Sequence, residues 1–349
     1  MLVLKIIGIV FGSIIGIVLL YLIVVIFFPG FEVKEIPIEP TGDLAYIYQE
    51  PDAGKVVSFD VEGDKVHAWL YLPDSIMEPV GCIIMSNGFG GTTGMILKKY
   101  AMRYRDAGFA TLLYDYRYFG ESEGEPRQLF LIKNQIEDLT ATIEYVRSLK
   151  EINPDKIALW GTSAAGGYGI IKASTDKKIA CIVGQCPALD SKADGEMAVE
   201  RQGIGFFLKL FVHAQRDMGR SRFGLSAHKI PIVGRQGEFA FLNAQGAYVG
   251  YSALVEPGFK NEVCARLILR SHGYNPIDYA KDVECPVLLQ ICEHDNLVSE
   301  KSYKGTAEIL GNLVDVKVYP IGHFDIYTGE NFEKAVSDQV EFFKKHMSL

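Results

Sequence analysis

Apolar, strand-like runs that alternate with helix-compatible segments restrict the fold of this chain more than any other feature. The six runs are residues 81–88, 109–116, 156–161, 179–187, 285–295 and 314–324. Helix-compatible segments occupy residues 95–107, 128–150, 300–310 and 331–346. Parallel strands need crossover connections, and strands buried on both sides are apolar along nearly their whole length. We therefore expect an α/β protein with a mostly parallel central sheet and helices on both faces.

Two segments depart from this alternation. Residues 55–73 contain two β-rich runs on either side of Glu62 and Gly63, a pattern typical of a hairpin. Residues 188–280 form an insertion that is much longer than one crossover needs. Its apolar stretch, residues 204–215, predicts a helix, which we expect to be a lid over an apolar pocket; a helix on a membrane surface is the alternative.

Ser163 stands at the junction of an apolar run and a stretch of small residues. Gly161 and Thr162 precede it, and two alanines and two glycines follow. Small residues let a helix pack closely against the preceding strand, so Ser163 is predicted to lie on a sharp turn with its hydroxyl exposed. The N-terminus of that helix would favour negative charge nearby. A serine that only caps the helix is the alternative.

Two further strand ends carry groups that activate a serine. Asp295 and His323 each come at the end of an apolar run, and the carboxyl ends of parallel strands form the ligand-binding edge of an open sheet. A histidine can take the serine proton, and a carboxylate orients the imidazole. The chain order Ser163, Asp295, His323 therefore predicts a catalytic triad. Asp190, which follows another strand end, is the alternative acid.

A glycine-rich loop at residues 85–94 follows the first apolar run. The backbone N–H groups of Phe89 and Ala164 would together form an oxyanion hole beside Ser163. A phosphate-binding loop is the alternative, but the Gly-Lys-Ser/Thr ending of a P-loop is missing from this stretch.

The first part of the chain predicts one membrane span. Residues 6–28 carry no charge and would form a helix about 34 Å long, enough to cross a bilayer. A signal peptide would have an apolar core of about 7–15 residues and a small-residue cleavage site, whereas this run ends in Phe27-Phe28-Pro29-Gly30. We therefore expect a retained anchor at residues 1–30 and a linker at residues 31–55. Lys5 favours the N-terminus inside and the remaining chain outside.

The net charge, the glycines of the apolar helix and the cysteines indicate which partners and which compartment to expect. The net charge of −8 argues against a nucleic-acid partner. Gly8, Gly12 and Gly16 would share one helix face and permit an oligomer, although small residues are common in membrane helices. The six cysteines lack metal-site spacing and indicate buried free thiols, which favour a reducing compartment and so oppose the outward orientation. They are Cys82, Cys181, Cys186, Cys264, Cys285 and Cys292.

Four motifs together resemble those of the α/β-hydrolase superfamily over about residues 50–347. They are NGFGG at 87–91, DYRYFGESEG at 115–124, GTSAAGG at 161–167, and the strand ends with Asp295 and His323. The resemblance implies an α/β-hydrolase domain at residues 56–349, with a lid insertion at about 188–280 and no metal or organic cofactor. In that family Asp115 and Arg117 mainly shape a loop beside the site.

Two residues depart from the family pattern. Asn87 stands where many members have His, and Ala165 stands at the last glycine of the serine turn. Residues 258–280 are similar to a branch that includes dienelactone-hydrolase-like enzymes and fungal polyketide transferases.

The resulting hypothesis is a membrane-anchored serine hydrolase that cleaves an ester, thioester or amide of a lipophilic acyl substrate. Acyl transfer to an alcohol or amine through the same triad is an alternative. A peptidase is another, with Glu196 or Glu200 binding the substrate N-terminus. The non-enzyme alternative is a binding protein that has lost the chemistry.

Overall fold

The structure, a computed structural model, describes residues 2–42, 54–270 and 275–347. Residues 43–53 of the expected linker and residues 271–274 of the insertion lie outside this part of the chain. The expected membrane span is helical: α1 extends from Leu2 to Phe27. This helix is long and apolar enough to be a membrane span or a signal sequence, with a mean hydropathy of 3.1 from Leu4 to Phe27.

A sheet of eight strands forms the centre of the protein, in the order β1-β2-β4-β3-β5-β6-β9-β10. The strands of the described residues are β1 Gly54–Val61, β2 Asp64–Tyr71, β3 Val80–Ser86, β4 Ala110–Tyr114, β5 Ile152–Thr162, β6 Ile179–Gln185, β7 Lys229–Ile230, β8 Val263–Cys264, β9 Val287–Cys292 and β10 Val314–Tyr319. Strands β7 and β8 form a separate two-stranded sheet. Strand β2 is antiparallel to β1 and β4, and the other neighbours in this sheet are parallel. The predicted hairpin and the mostly parallel sheet are thus confirmed.

Helices cover both faces of this sheet. After α1, the helices of the described residues are α2 Lys98–Asp106, α3 Ile132–Ser148, α4 Tyr168–Thr175, α5 Ser191–Gln202, α6 Ile204–Arg222, α7 Ala247–Ser252, α8 Leu267–Arg270, α9 Glu300–Leu310 and α10 Gly329–Met347. Those that pack on the sheet are α2, α3, α4, α9 and α10. Successive residues of a strand point to opposite faces. Trp160 of β5 packs against Tyr100 of α2, with ring centroids 5.3 Å apart. The preceding residue, Leu159, faces Gly169 of α4 on the other side.

The insertion predicted for residues 188–280 lies between β6 and β9. It contains α5 to α8, the two-stranded sheet of β7 and β8, and a 3₁₀ turn at Pro276–Asp282. The buried Asp217 carboxylate of α6 accepts a hydrogen bond from Arg266 Nε at 2.7 Å. This ion pair joins α6 to the segment that leads into α8.

Helix α6 packs against the C-terminal end of α1. The Arg216 guanidinium donates hydrogen bonds to the carbonyl oxygens of Val25 at 2.6 Å and Phe28 at 3.1 Å. The last carbonyls of a helix have no partner within the helix, so Arg216 acts as a C-terminal cap of α1. The rings of Phe27 and Phe223 lie 5.1 Å apart beside this contact.

The loop after β4 is tied to its surroundings by two charged residues. The Asp115 carboxylate accepts the backbone N–H of Thr93 at 2.6 Å and of Glu121 at 2.9 Å. Arg117, whose side chain is 3% exposed, pairs with the fully buried Asp138 of α3. Asp115 therefore joins this loop to the glycine-rich loop after β3, and Arg117 joins it to α3.

We expect Asp138→Ala to lower the free energy of unfolding by about 3–5 kcal/mol, because Arg117 would stay buried without its main counter-charge. Glu137 also contacts Arg117 at 2.8 Å but is much more exposed, at 36%. Glu137→Ala is therefore expected to cost less than about 1 kcal/mol. Urea unfolding of the full chain in detergent, followed by circular dichroism, measures both. Equal losses for the two variants would contradict this assignment.

Candidate active site

Ser163 lies on the sharp turn that the sequence predicts. It directly follows β5 and begins a 3₁₀ turn, Ser163–Ala165, that leads toward α4. Its φ angle is 52°, in the left-handed region that residues other than glycine rarely adopt. Such strain costs about 1–3 kcal/mol and persists where the surrounding structure enforces it, often at functional sites.

Close packing explains the small residues around Ser163. A Cβ atom at Gly161 would lie 2.2 Å from the carbonyl oxygen of Ala165, and one at Gly166 would lie 2.4 Å from the Cβ of Pro187. Ala165 itself is only 1% exposed, so the turn accommodates its methyl group where the family usually has glycine.

The structure brings Ser163, His323 and Asp295 into one chain of hydrogen bonds. His323 Nε2 lies 3.0 Å from Ser163 Oγ, and His323 Nδ1 lies 2.6 Å from Asp295 Oδ2. The other oxygen of Asp295 accepts the backbone N–H groups of Leu297 at 2.8 Å and Val298 at 2.9 Å. The carboxylate is thus held in place from one side while it contacts the imidazole on the other.

The alternative residues from the sequence analysis lie elsewhere. Asp190 is the N-cap of α5, where its Oδ1 accepts the N–H of Lys192 at 2.9 Å. Glu196 and Glu200 are exposed on α5. None of these three acidic side chains lines the pocket that contains Ser163.

Two opposing effects act on the pKa of His323, which is 4% exposed. Burial is the largest single effect and lowers this pKa, whereas the adjacent Asp295 carboxylate and the nearby Cys186 side chain raise it. Asp295, which contacts Nδ1 directly, and Cys186 together outweigh burial, so the pKa of His323 lies well above its ordinary value of 6.5. The imidazolium is therefore a favourable state in this site.

A buried polar layer beside the imidazole was missed by the sequence analysis. Cys186 Sγ lies 3.9 Å from His323 Nε2 and 3.5 Å from the Tyr327 hydroxyl, which in turn contacts the Thr162 hydroxyl. Cys186 directly follows β6, so the strand-end rule that identified Asp295 would also have found it. Its thiol completes the wall behind the imidazole.

The glycine-rich loop approaches Ser163 closely. A Cβ atom at Gly88 would lie 3.3 Å from the Cβ of Ser163. The next residue, Phe89, lines the same pocket as Ser163, and its carbonyl oxygen accepts the Tyr251 hydroxyl at 2.5 Å. Ala164, the other predicted oxyanion donor, is half-buried in the turn after Ser163. Phe89 and Ala164, the two predicted donors, therefore both lie near Ser163: Ala164 follows it in the chain, and Phe89 lines the same pocket.

The pocket at Ser163 and His323 is mainly apolar and partly open to solvent. Its apolar walls are Phe89, Met95, Ile96, Leu97, Leu242, Tyr251, Leu254, Leu297, Phe324 and Tyr327. The insertion contributes residues between 242 and 254, and no residue of the described stretch 204–215 lines the pocket. The part of the insertion that borders the pocket is thus 242–254 instead of the predicted lid helix, which packs against α1.

The cysteines and the other side chains that can bind metals form no metal site in the described part of the chain. All six cysteines are buried free thiols, as the sequence predicts. Within residues 2–42, 54–270 and 275–347, no group of three His, Cys, Asp or Glu side chains could hold a metal ion.

Comparison with known proteins shows to which family this chain belongs. The profile of the X-Pro dipeptidyl-peptidase (S15) family matches residues 62–225. Quorum-quenching protein AidA of Acinetobacter baumannii is 39% identical over 298 residues, which cover 84% of this chain and 96% of AidA. Thiohydrolase apmlB of Arthrinium phaeospermum is 27% identical over 282 residues, which cover 76% of this chain and 89% of apmlB.

A solved structure agrees with this result. The α/β hydrolase GrgF from Penicillium sp. superposes with a TM-score of 0.70 at 21% identity, covering 85% of this chain and 99% of GrgF. The likeness to GrgF gives the fold, and the similarity to AidA extends over nearly the whole of that relative. This chain belongs to the α/β-hydrolase superfamily and is an enzyme of that type.

Proposed function

We propose that this protein is a membrane-anchored serine hydrolase that cleaves an ester, thioester or amide of a lipophilic acyl substrate. The observation that carries the proposal is the hydrogen-bond chain from Ser163 through His323 to Asp295, with distances of 3.0 Å and 2.6 Å. A histidine within hydrogen-bond reach of a serine, itself oriented by a carboxylate, is the arrangement that activates a serine nucleophile.

In the proposed mechanism, His323 Nε2 takes the Ser163 proton while Oγ attacks the carbonyl carbon of the substrate. The oxyanion that forms accepts hydrogen bonds from the N–H groups of Phe89 and Ala164. His323 then donates its proton to the leaving group, which gives the acyl-enzyme. Water, activated by the same imidazole, attacks the acyl-enzyme and releases the acid.

Asp295 is proposed to keep His323 in the tautomer that leaves Nε2 free to accept a proton. Its Oδ2 accepts the Nδ1 proton, and its position is fixed by the N–H groups of Leu297 and Val298. The carboxylate also stabilises the imidazolium that forms during the reaction.

The walls of the pocket support a lipophilic acyl group. Met95, Leu242 and Leu254 line it beside Ser163, and burial of apolar surface contributes about 25 cal/mol per Å² of area removed from water. The similarity to a protein named thiohydrolase supports thioesters among the substrates. Hydrolysis and acyl transfer share the acyl-enzyme, so product analysis with an added alcohol or amine separates them.

Contacts at the end of α1 support a retained anchor. Removal of α1 as a signal peptide would leave Arg216 of α6, and Phe223 directly after this helix, without the partners that they have at Val25 and Phe27. The proposal therefore divides the chain into an anchor at residues 1–30, a linker at 31–55 and a catalytic domain at 56–349. Lys5 favours the topology with the N-terminus inside.

The anchor is tested in membranes of cells that express the full chain. We expect the protein to stay in the membrane fraction after alkaline carbonate extraction, and its intact mass to include residues 1–30, because the apolar helix is long enough to span a bilayer. Recovery of a shortened, extractable protein would instead identify the helix as a signal peptide.

The triad is tested by labelling the purified chain with a fluorophosphonate and by ester hydrolysis. We expect Ser163→Ala and His323→Ala to abolish labelling, and Asp295→Asn to lower kcat by about 10⁴-fold, because the imidazole loses its orienting carboxylate. Asp190→Asn is the matched control and should lower kcat by less than about tenfold, since Asp190 only caps a helix. A loss of activity confined to Asp190→Asn would instead assign the role of the triad carboxylate to Asp190.

The pH dependence follows from the raised pKa of His323. Only the neutral imidazole can accept the Ser163 proton, so kcat/KM should rise with pH through a midpoint above about 6.5. Asp295→Asn removes the charge that raises this pKa, so its midpoint should move to lower pH. The rate of fluorophosphonate labelling against pH measures both midpoints, and an unchanged midpoint in Asp295→Asn would contradict this account.

A further inference from the structure

Helix α6 has an exposed apolar stripe on one face. The stripe consists of Ile204, Leu208 and Phe211, which are 66%, 59% and 43% exposed. Their spacing of four and three residues places them in one row along the helix. The opposite side of α6, with Leu210, His213, Ala214 and Asp217, is buried against the protein. Large apolar side chains in such a row indicate an interaction surface.

The stripe continues directly into the contact between α6 and α1. Gln215, four residues after Phe211, accepts a hydrogen bond from the Tyr21 hydroxyl at 2.6 Å. Four residues further, a Cβ atom at Gly219 would lie 2.4 Å from Ile26, so the helices touch there. Helix α1 thus covers the second half of this row and leaves the half with the stripe uncovered.

The order of the contacts between α6 and α1 shows where the stripe lies relative to the apolar span of α1. Gln215 meets Tyr21, Gly219 meets Ile26 and Phe223 meets Phe27, so both helices run in the same general direction. Residues of α6 before Gln215 therefore lie on the side where α1 continues back into its apolar span. On that side α1 is itself exposed from residue 4 to residue 20.

The charged side chains of α6 itself do not oppose a lipid surface. The Lys209 ammonium lies 4.1 Å from the centre of the Phe239 ring, and Arg216 is bonded to carbonyls at the end of α1. The acidic residue of α6, Asp217, is buried and paired with Arg266. No carboxylate of α6 therefore faces the surface that carries the stripe.

We propose that Ile204, Leu208 and Phe211 insert into the bilayer leaflet in which α1 ends, beside α1. This proposal rests on the anchor proposed above and is independent of the triad. The catalytic domain then rests on the membrane through two contiguous elements, α1 and the first half of α6.

The helix that carries the stripe also lies close to the pocket that contains Ser163. Phe206 of α6 contacts Phe239, with ring centroids 5.7 Å apart, and Phe241 stacks on Phe89 of the pocket wall at 4.5 Å. One segment, residues 239–242, therefore separates the membrane-facing helix from the pocket. A substrate that resides in the bilayer would have a short path to Ser163.

Tryptophan quenching by brominated lipid tests the proposal on the full chain. The variants Leu208→Trp and Phe211→Trp are reconstituted in vesicles of phosphatidylcholine with or without brominated acyl chains. The natural tryptophans, Trp69 and Trp160, are buried and give the background. Ile15→Trp in α1 is the positive reference. Met77→Trp is the control, because Met77 is 98% exposed and precedes β3, at the sheet edge opposite Ser163.

We expect positions 208, 211 and 15 to lose most of their emission in brominated lipid, and position 77 to lose none. Quenching at position 15 without quenching at 208 and 211 would overturn the proposal and leave the anchor standing. Blue-shifted emission at 208 and 211 without quenching would also overturn it, because a second copy of the chain would then cover the stripe. Absence of quenching at position 15 would refute both the anchor and the docked helix.

A functional measurement complements the spectroscopy. The double variant Leu208→Glu with Phe211→Glu changes exposed side chains that do not line the pocket. Its hydrolysis of a short, water-soluble ester should match the unmodified protein, whereas its hydrolysis of an ester dissolved in vesicles should fall. Equal loss on both substrates would indicate damage to the fold, and no loss on either would contradict a role of the stripe in reaching bilayer substrates.

Discussion

The register of four parallel strands decides where the reactive groups of this protein lie. Thr162 of β5 pairs with Gln185 of β6, and Gln185 pairs with Gln290 of β9. Tyr319 of β10 then pairs with Cys292 of β9. Because side chains alternate between faces, a slip of one residue in any of these pairs would turn a strand's buried side chains to the other face and displace the residue that follows it. The hydrogen-bond chain at the site thus depends on backbone pairing more than on the side chains themselves.

Strand positions and strand-end residues could be read from the sequence because both are local properties. Apolar runs predicted β3 to β6, β9 and β10, and the residues just beyond them predicted Ser163, Asp295 and His323 as neighbours. Of the polar layer behind the imidazole, Cys186 could be read in this way but the rest could not. Its contact between Thr162 and Tyr327 joins residues far apart in the chain, and neither residue type is unusual where it stands.

The apolar runs of the sequence also do not distinguish an edge strand of the sheet from a central one. Val316 and Val318 of β10 are 39% and 49% exposed, because this strand pairs on one side only, with β9. The predicted helix at 204–215 exists, but its partner could not be inferred from its own pattern. The same amphipathic sequence suits a pocket, a membrane surface or another helix, and only the contacts of Gln215, Arg216 and Gly219 show that α1 is its neighbour.

The guanidinium of Arg216 joins helix α1 to the rest of the protein. An enzyme on a flexible tether searches a volume above the membrane, whereas one clamped to its anchor moves only within a plane, with its pocket at a constant height. For a chain anchored as proposed here, the encounter rate with substrate would follow the number of substrate molecules per unit area of membrane. Dilution of the surrounding solution would then leave the turnover of a bilayer substrate unchanged.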